Sequence, residues 1–156
     1  MKQIKRILVV DDDAINVDLL LLALSRQQFL HETVVARDGA EALDYLFGRG
    51  KFAGRDDEQP VLVLLDLKMP RVDGFEVLRQ VKSDDALKRI PVVVFSSSND
   101  QGDRWRSYEL GANAYVTKPV EFTEFLEVVQ RVGRFWTDIN QTPPSVSCER
   151  REALSL

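Results

Sequence analysis

Short apolar runs alternate with longer segments of mixed polarity along most of this chain. Five runs rich in Val, Ile and Leu have the length and composition of buried strands, and they occupy residues 5–10, 32–36, 61–65, 91–95 and 114–117. The segments that follow them predict helices at residues 16–26, 39–48, 74–81, 101–110 and 121–136. This alternation predicts an α/β fold in which a parallel sheet is covered by helices on both faces.

The chain has room for one domain. Its 156 residues match the common domain size with a short remainder. Helical periodicity fades after Trp136, and the segment TPPSVS at residues 142–147 is typical of a flexible tail. We therefore expect a folded domain over residues 1–136 and a flexible tail over residues 137–156, which is too short to form an output domain.

Composition narrows the possible partners and compartment. The net charge is −4 and no long block of Lys and Arg is present, which argues against binding to nucleic acid. The single cysteine, Cys148, excludes an internal disulfide and favours a reducing compartment. The apolar run at residues 7–10 is too short for a signal peptide or a membrane span. We expect a cytoplasmic protein that does not bind membranes.

Charged residues follow three of the predicted strands. Asp11 and Asp12 follow the first strand, Asp66 follows the third, and Lys118 follows the fifth. If the sheet is doubly wound in the order 2-1-3-4-5, the three aspartates meet at the point where the strand order reverses. Carboxylates held together repel one another unless a cation is present, and oxygen ligands suit Mg²⁺. The sequence therefore predicts a magnesium site at this edge of the sheet.

The same edge carries groups suited to phosphoryl transfer. Asp66 is the best candidate nucleophile, and Lys118 offers a fixed positive charge. Ser96, at the end of the fourth strand, offers a hydroxyl for a phosphoryl oxygen. Asp13 fits a helix N-cap better than a ligand. The polar segment at residues 97–99 fits either a phosphate contact or a turn before the next helix.

Four segments carry a resemblance to a known family. The chain resembles the receiver domain of two-component response regulators over residues 5–135, through VVDDD at 9–13, LLDLKMPRVDG at 64–74, PVVVFS at 91–96 and GANAYVTKP at 111–119. The resemblance implies a flavodoxin-like fold with five strands in the order 2-1-3-4-5. It also implies that Asp66 accepts a phosphoryl group from the phosphohistidine of a sensor histidine kinase.

The resemblance further assigns roles around Asp66. It implies that Asp12 and Asp66 bind Mg²⁺ directly together with the backbone carbonyl of Lys68, while Asp11 acts through water. It implies that Lys118 contacts the phosphoryl group, that Ser96 and Tyr115 form a switch pair, and that the Lys118–Pro119 peptide is cis. On this interpretation the protein is no enzyme acting on a separate substrate, although it catalyses its own phosphorylation and dephosphorylation.

A narrower resemblance concerns the sensor kinase that would phosphorylate this protein. The segment RSYELGANAY at residues 106–115, the pair FW at 135–136 and the long polar connection before residue 61 resemble the stand-alone regulators of bacterial phytochrome histidine kinases. Two other classes of protein are alternatives to this hypothesis. An aspartyl-phosphate hydrolase would need a second acid where Lys68 stands, and a pseudo-receiver that binds partners without phosphorylation would not need the complete acidic set.

The two terminal helices carry more apolar residues than one core contact requires. In the last helix a stripe is predicted to face the sheet: Phe122, Phe125, Leu126, Val129, Val132 and Trp136. Val128 and Phe135 widen that face, from which we predict a homodimer through the last helix. In the first helix Ile15, Leu19 and Leu22 are predicted to face the core. This leaves four residues for the last helix or for kinase docking: Val17, Leu20, Leu21 and Leu24.

Overall fold

A sheet of five parallel strands in the order β2-β1-β3-β4-β5 organises the computed structural model, which describes residues 4–27, 31–55 and 58–144. The predicted fold class and strand order are confirmed. In chain order the elements are β1 (Lys5–Val10), α1 (Ala14–Ser25), β2 (His31–Ala36), α2 (Gly39–Phe47), a 3₁₀ turn (Gly50–Phe52), β3 (Leu62–Leu65), α3 (Gly74–Ser83), β4 (Val92–Ser96), α4 (Gln101–Glu109), β5 (Ala114–Thr117), α5 (Phe122–Arg134) and a π-helical turn (Phe135–Ile139).

Aspartate side chains fix where α1, α2 and α3 begin. The Asp13 carboxylate accepts the backbone N–H groups of Ile15 and Asn16 at 2.9 and 3.1 Å, as expected of an N-cap. Asp38 and Asp73 do the same for α2 and α3, through the N–H groups three residues on. Because Asp13 is the cap, α1 starts at Ala14, two residues before the predicted start.

Two apolar clusters cover the two faces of the sheet. Side chains of β1 alternate between them, with Leu8 and Val10 in the cluster under α2 and α3, and Ile7 and Val9 in the cluster under α1 and α5. All four are at most 1% exposed. The central strands are therefore buried on both faces, which explains why they read as continuous apolar runs.

The predicted orientation of α1 is wrong for Ile15 and Leu22, whereas Leu19 packs partly buried against the core as predicted. Leu20 and Leu24 are buried in the cluster with the sheet and α5, and Val17 is buried as well. By contrast, Ile15 is 72% and Leu22 is 37% exposed. Apolar residues occupy every side of α1, so their spacing alone does not select one face. The close approach of α5 selects it, because a Cβ at Gly133 of α5 would lie only 2.9 Å from a methyl carbon of Leu24.

The last helix packs largely as predicted. Phe125, Leu126 and Val129 are buried, and Val132 and Trp136 pack partly buried against the same cluster. Burial of Phe122 was predicted wrongly: this first helical residue is 53% exposed, because the stripe meets the core only from the next turn onward.

The helical path runs beyond the predicted end at residue 136. The π-helical turn continues it to Ile139, and Thr137 is buried there with its carbonyl accepting a hydrogen bond from the Lys5 ammonium. Much of the predicted tail, residues 145–156 with Cys148, lies outside the described residues. Flexibility of that tail stays a prediction. Within the described ranges, none of the helices has the length and apolar character needed to cross a membrane.

Candidate functional site

A crevice of about 570 Å³ opens at the carboxyl end of the sheet. Parallel pairing places Val10 at the end of β1 opposite Leu65 at the end of β3, so the residues that follow the two strands meet. The crevice is lined by Asp12, Asp13, Ala14, Ile15, Asn16, Asp66, Lys68, Ser97 and Lys118.

Three carboxylates converge in this crevice, as the strand order predicted. One oxygen from each of Asp11, Asp12 and Asp66 lies within 4.8 Å of the others. Asp11 and Asp66 are 1% and 8% exposed, whereas Asp12 is exposed to solvent. Carboxylate oxygens at this spacing, with one open side, match the ligand type that a hard divalent cation such as Mg²⁺ prefers. The donor set therefore fits a divalent metal.

Lys118 lies between two of these carboxylates. Its ammonium donates to Oδ2 of Asp11 at 2.8 Å and lies 3.6 Å from Oδ2 of Asp66, and the side chain is almost fully buried. The ammonium also lies 5.8 Å from the ring centre of Phe95, whose face attracts a cation. Lys118 thus compensates part of the buried negative charge.

The acidity of the Asp66 carboxylate is shifted by its surroundings. Burial raises its pKa from 3.8 to about 6, an effect that Lys118 opposes and the negative charge of Asp11 reinforces. The N–H of Leu67 donates to Oδ1 at 2.9 Å, which leaves Oδ2 directed toward Lys118. Asp66 is therefore mostly ionised near pH 7, and a bound cation would favour that form further.

Gly74 lets α3 approach Asp66 closely. A Cβ at Gly74 would lie 2.2 Å from the carbonyl oxygen of Asp66 and 2.7 Å from the Cα of Leu67. From the sequence, residue 74 is only the predicted first residue of a helix. The structure shows that Asp73 caps α3 and that Gly74 is required for backbone contact behind Asp66.

Ser96 and Tyr115 lie on neighbouring strands but make their hydrogen bonds to a third residue. Ser96 is buried at the end of β4, and its Oγ accepts the N–H of Ser98 at 3.2 Å. The hydroxyl of half-buried Tyr115 donates to the carbonyl of Ser98 at 2.9 Å. The two residues of the predicted switch pair are thus linked through Ser98.

Other predicted positions have mixed outcomes. Among the serines after β4, Ser97 lines the crevice, whereas Ser98 makes its hydrogen bonds within its own loop and to α4 and β5. Lys68 is exposed and lines the crevice, while a metal-binding role of its carbonyl stays a prediction. The cis prediction for the Lys118–Pro119 peptide is wrong: the bond is trans, the form that X–Pro peptides generally favour.

Sequence reasoning missed two residues at the mouth of the crevice. Ile15 and Asn16, in the first turn of α1, line it beside Asp12. Their position could have been inferred from the Asp13 cap, because a helix that begins at residue 14 must expose its first turn to the space beyond β1.

Comparison with known proteins adds family evidence. A model of the response regulator receiver domain matches residues 7–130. The chain is 37% identical over 139 residues to response regulator Rcp1 of Synechocystis, covering 89% of this chain and 93% of that protein.

Solved structures agree with that match. The phosphorylated cyanobacterial phytochrome response regulator RcpA is 39% identical, with a TM-score of 0.86 over 91% of this chain and 100% of RcpA. The bacteriophytochrome response regulator AtBRR is 49% identical, with a TM-score of 0.72 over 90% of this chain and 100% of AtBRR. A manganese-bound form of Rcp1 is 36% identical, with a TM-score of 0.83 over 90% of this chain and 99% of that structure.

Proposed function

Because this chain belongs to the response regulator receiver domain family, we propose that Asp66 accepts a phosphoryl group from the phosphohistidine of a sensor histidine kinase in the presence of Mg²⁺. One observation carries the proposal: the Asp66 carboxylate lies in a crevice with two other carboxylates and within 3.6 Å of a buried ammonium. This arrangement combines a nucleophile, a metal site and a fixed positive charge.

Asp66, Lys118 and Ser96 have different roles in the proposed phosphoryl transfer. An oxygen of Asp66 forms the new P–O bond while the P–N bond to the donor histidine breaks, and the imidazole leaves with the electron pair of that bond. Lys118 is close enough to Asp66 to neutralise negative charge on the transferred group. Ser96 supplies a hydroxyl donor from β4 for a phosphoryl oxygen.

Magnesium would be held by the acidic set. We assign direct ligation to Asp12, Asp66 and the backbone carbonyl of Lys68, and a water-mediated contact to Asp11. The existing bonds of Asp11 support this division, because its two oxygens already accept from the N–H of Asp13 at 2.9 Å and from Lys118 at 2.8 Å. A metal bound there would supply positive charge that offsets the charge of the acceptor carboxylate and of the incoming phosphoryl oxygens.

Acetyl phosphate with intact-protein mass spectrometry tests the proposal without a kinase. The wild-type protein is expected to gain the mass of one phosphoryl group in Mg²⁺ and none in EDTA. Asp66→Asn is expected to gain none, whereas Asp85→Asn, a control at a carboxylate whose side chain is 98% exposed, behaves as wild type. Absence of any gain in wild type would favour the alternative of a phosphorylation-independent pseudo-receiver.

A bacterial phytochrome is the proposed kinase class. The support is the similarity to RcpA and AtBRR, which are themselves described as phytochrome response regulators. Ile15, 72% exposed at the crevice, is the docking residue that we assign on α1. Leu20 is unsuitable for that role, because it is 1% exposed.

A comparison of phosphotransfer from a phytochrome kinase with phosphorylation by acetyl phosphate distinguishes an effect on docking from an effect on chemistry. Ile15→Ala is expected to slow transfer from the kinase several-fold and to leave phosphorylation by acetyl phosphate unchanged. Leu22→Ala is the matched control on the same helix, because Leu22 is 37% exposed and lies outside the crevice lining. Equal transfer rates for wild type and Ile15→Ala would contradict the docking assignment.

A homodimer through the last helix region is the second proposed protein contact. Phe135 is 44% and Ile139 is 57% exposed, and Val128 is partly buried on the preceding turns of α5. Sedimentation with and without beryllium fluoride tests this proposal. A monomer at high protein concentration under both conditions would contradict it.

We also propose that the protein acts in the cytoplasm and that it signals through contacts with proteins rather than with nucleic acid. On this proposal it turns over no separate substrate.

A further inference from the structure

Ser98 makes hydrogen bonds through three different groups. Its N–H donates to Oγ of Ser96 at 3.2 Å, and its carbonyl accepts the hydroxyl of Tyr115 at 2.9 Å. Its own hydroxyl donates to Oδ2 of Asp103, in the first turn of α4, at 2.6 Å. One residue in the β4–α4 connection therefore joins the end of β4, the edge strand β5 and helix α4.

The bond to Ser96 determines what the Ser96 hydroxyl can do. A serine hydroxyl has one proton to donate and lone pairs to accept with. When Oγ of Ser96 accepts the N–H of Ser98, its own proton is left to donate elsewhere. Ser96 is 1% exposed at the end of β4, and its carbonyl accepts the N–H of Lys118, a residue that lines the crevice. A phosphoryl oxygen bound in the crevice is therefore the acceptor that we assign to the Ser96 hydroxyl.

The position of Ser98 is in turn fixed from α4. Asp103 holds the Ser98 hydroxyl, while the Asp103 N–H donates to the capping carboxylate of Asp100 at 3.0 Å. The Asp100 N–H donates back to Oγ of Ser98 at 3.2 Å. This small cycle of bonds attaches the loop to the start of α4. The direction of the Ser98 N–H toward Ser96 is therefore held by side-chain hydrogen bonds as well as by the loop backbone.

We propose that Ser98 is a positioning residue for phosphoryl binding, which its bond to Asp103 holds in place and which orients the Ser96 hydroxyl toward the phosphoryl group. The inference rests on the proposed function. It gives the Ser98 side chain and α4 a role in phosphoryl binding, although neither belongs to the acidic crevice. Loss of the Ser98 hydroxyl leaves every carboxylate of the metal site untouched.

Beryllium fluoride, a phosphoryl mimic, provides the test when its binding is measured calorimetrically in Mg²⁺ on the full chain. Ser98→Ala is expected to weaken its binding about three- to tenfold, the effect of one intramolecular hydrogen bond, with unchanged Mg²⁺ affinity. Asp103→Ala should reproduce this loss. Asp103→Asn keeps an oxygen acceptor and should stay near wild type. Ser83→Ala, which removes a serine bond to the Arg79 carbonyl on α3, is the matched control and should bind as wild type.

A double variant shows whether Ser98 acts through Ser96. In a Ser96→Ala background, Ser98→Ala is expected to cause no further loss. Additive losses, or wild-type affinity in Ser98→Ala alone, would overturn the inference and leave the proposed function standing. Failure of the wild-type protein itself to bind beryllium fluoride would instead refute the proposed function, and this inference with it. Urea midpoints of all variants separate a binding effect from loss of fold.

Discussion

Replacement of Asp66 with Asn is expected to stabilise the metal-free protein at neutral pH. Burial raises the pKa of Asp66 from 3.8 to about 6, which means that the folded state holds this carboxylate in its ionised form at a cost. The folded state binds more protons than the unfolded state between these two values. Stability from this group is therefore highest below about pH 4 and falls as the pH rises toward 6.

The size of the effect follows from the two pKa values. The rise from 3.8 to about 6 corresponds to about 3 kcal/mol of destabilisation above pH 6. The same linkage leaves about 1.5 kcal/mol at pH 5 and about 0.5 kcal/mol at pH 4. Asparagine resembles the neutral form of Asp66 in size and charge, so Asp66→Asn should recover most of that energy at pH 7.5.

Urea unfolding in EDTA at pH 7.5, 5 and 4 provides the assay. Asp66→Asn is expected to have the higher midpoint at pH 7.5 and an advantage that shrinks as the pH falls, with unchanged dependence on denaturant. Asp85→Asn serves as the control, because this exposed carboxylate should change stability little at any of these pH values. Equal midpoints for wild type and Asp66→Asn at pH 7.5, or a difference that does not vary with pH, would show that the ionised Asp66 carboxylate does not destabilise the folded state.

Three further predictions concern the same crevice. Mg²⁺ is expected to raise the unfolding temperature of wild type and to raise that of Asp66→Asn much less, because binding to the folded state stabilises it; equal shifts in calorimetry would contradict this. Asp11→Asn is expected to cost about 2 kcal/mol in urea unfolding, since it removes the 2.8 Å ion pair of buried Lys118, and an unchanged midpoint would argue against it. Gly74→Ala is expected to cost about 3 kcal/mol, because its methyl group would lie 2.2 Å from the Asp66 carbonyl, whereas Gly102→Ala meets only the Asp100 side chain and should cost less.

The sheet and the crevice could be predicted because their signals are local in sequence. Each strand is a short apolar run, and β1 and β5 begin and end where predicted. Once the strand order is given, charged residues that follow the ends of β1, β3 and β5 must lie at one edge of the sheet. Convergence of Asp11, Asp66 and Lys118 is therefore a consequence of sequence position and topology.

Features that depend on packing between distant segments could not be predicted. Periodicity does not reveal which side of α1 is buried, because the contact between Leu24 and Gly133 that selects it joins residues far apart in the chain. The role of Ser98 is hidden for a similar reason. Its partners Tyr115 and Asp103 lie on different elements, and a serine in a polar turn has many possible explanations.

Identification of the phosphorylated residue shows directly whether Asp66 is the phosphoryl acceptor. After incubation with acetyl phosphate and Mg²⁺, borohydride reduces an aspartyl phosphate to homoserine, which peptide mass spectrometry assigns to one position. Homoserine is expected at position 66 alone, and none is expected when EDTA is present. Homoserine at position 12 or 11 in place of 66, or modification that persists without a divalent metal, would contradict the assignment of Asp66 as the metal-dependent phosphoryl acceptor.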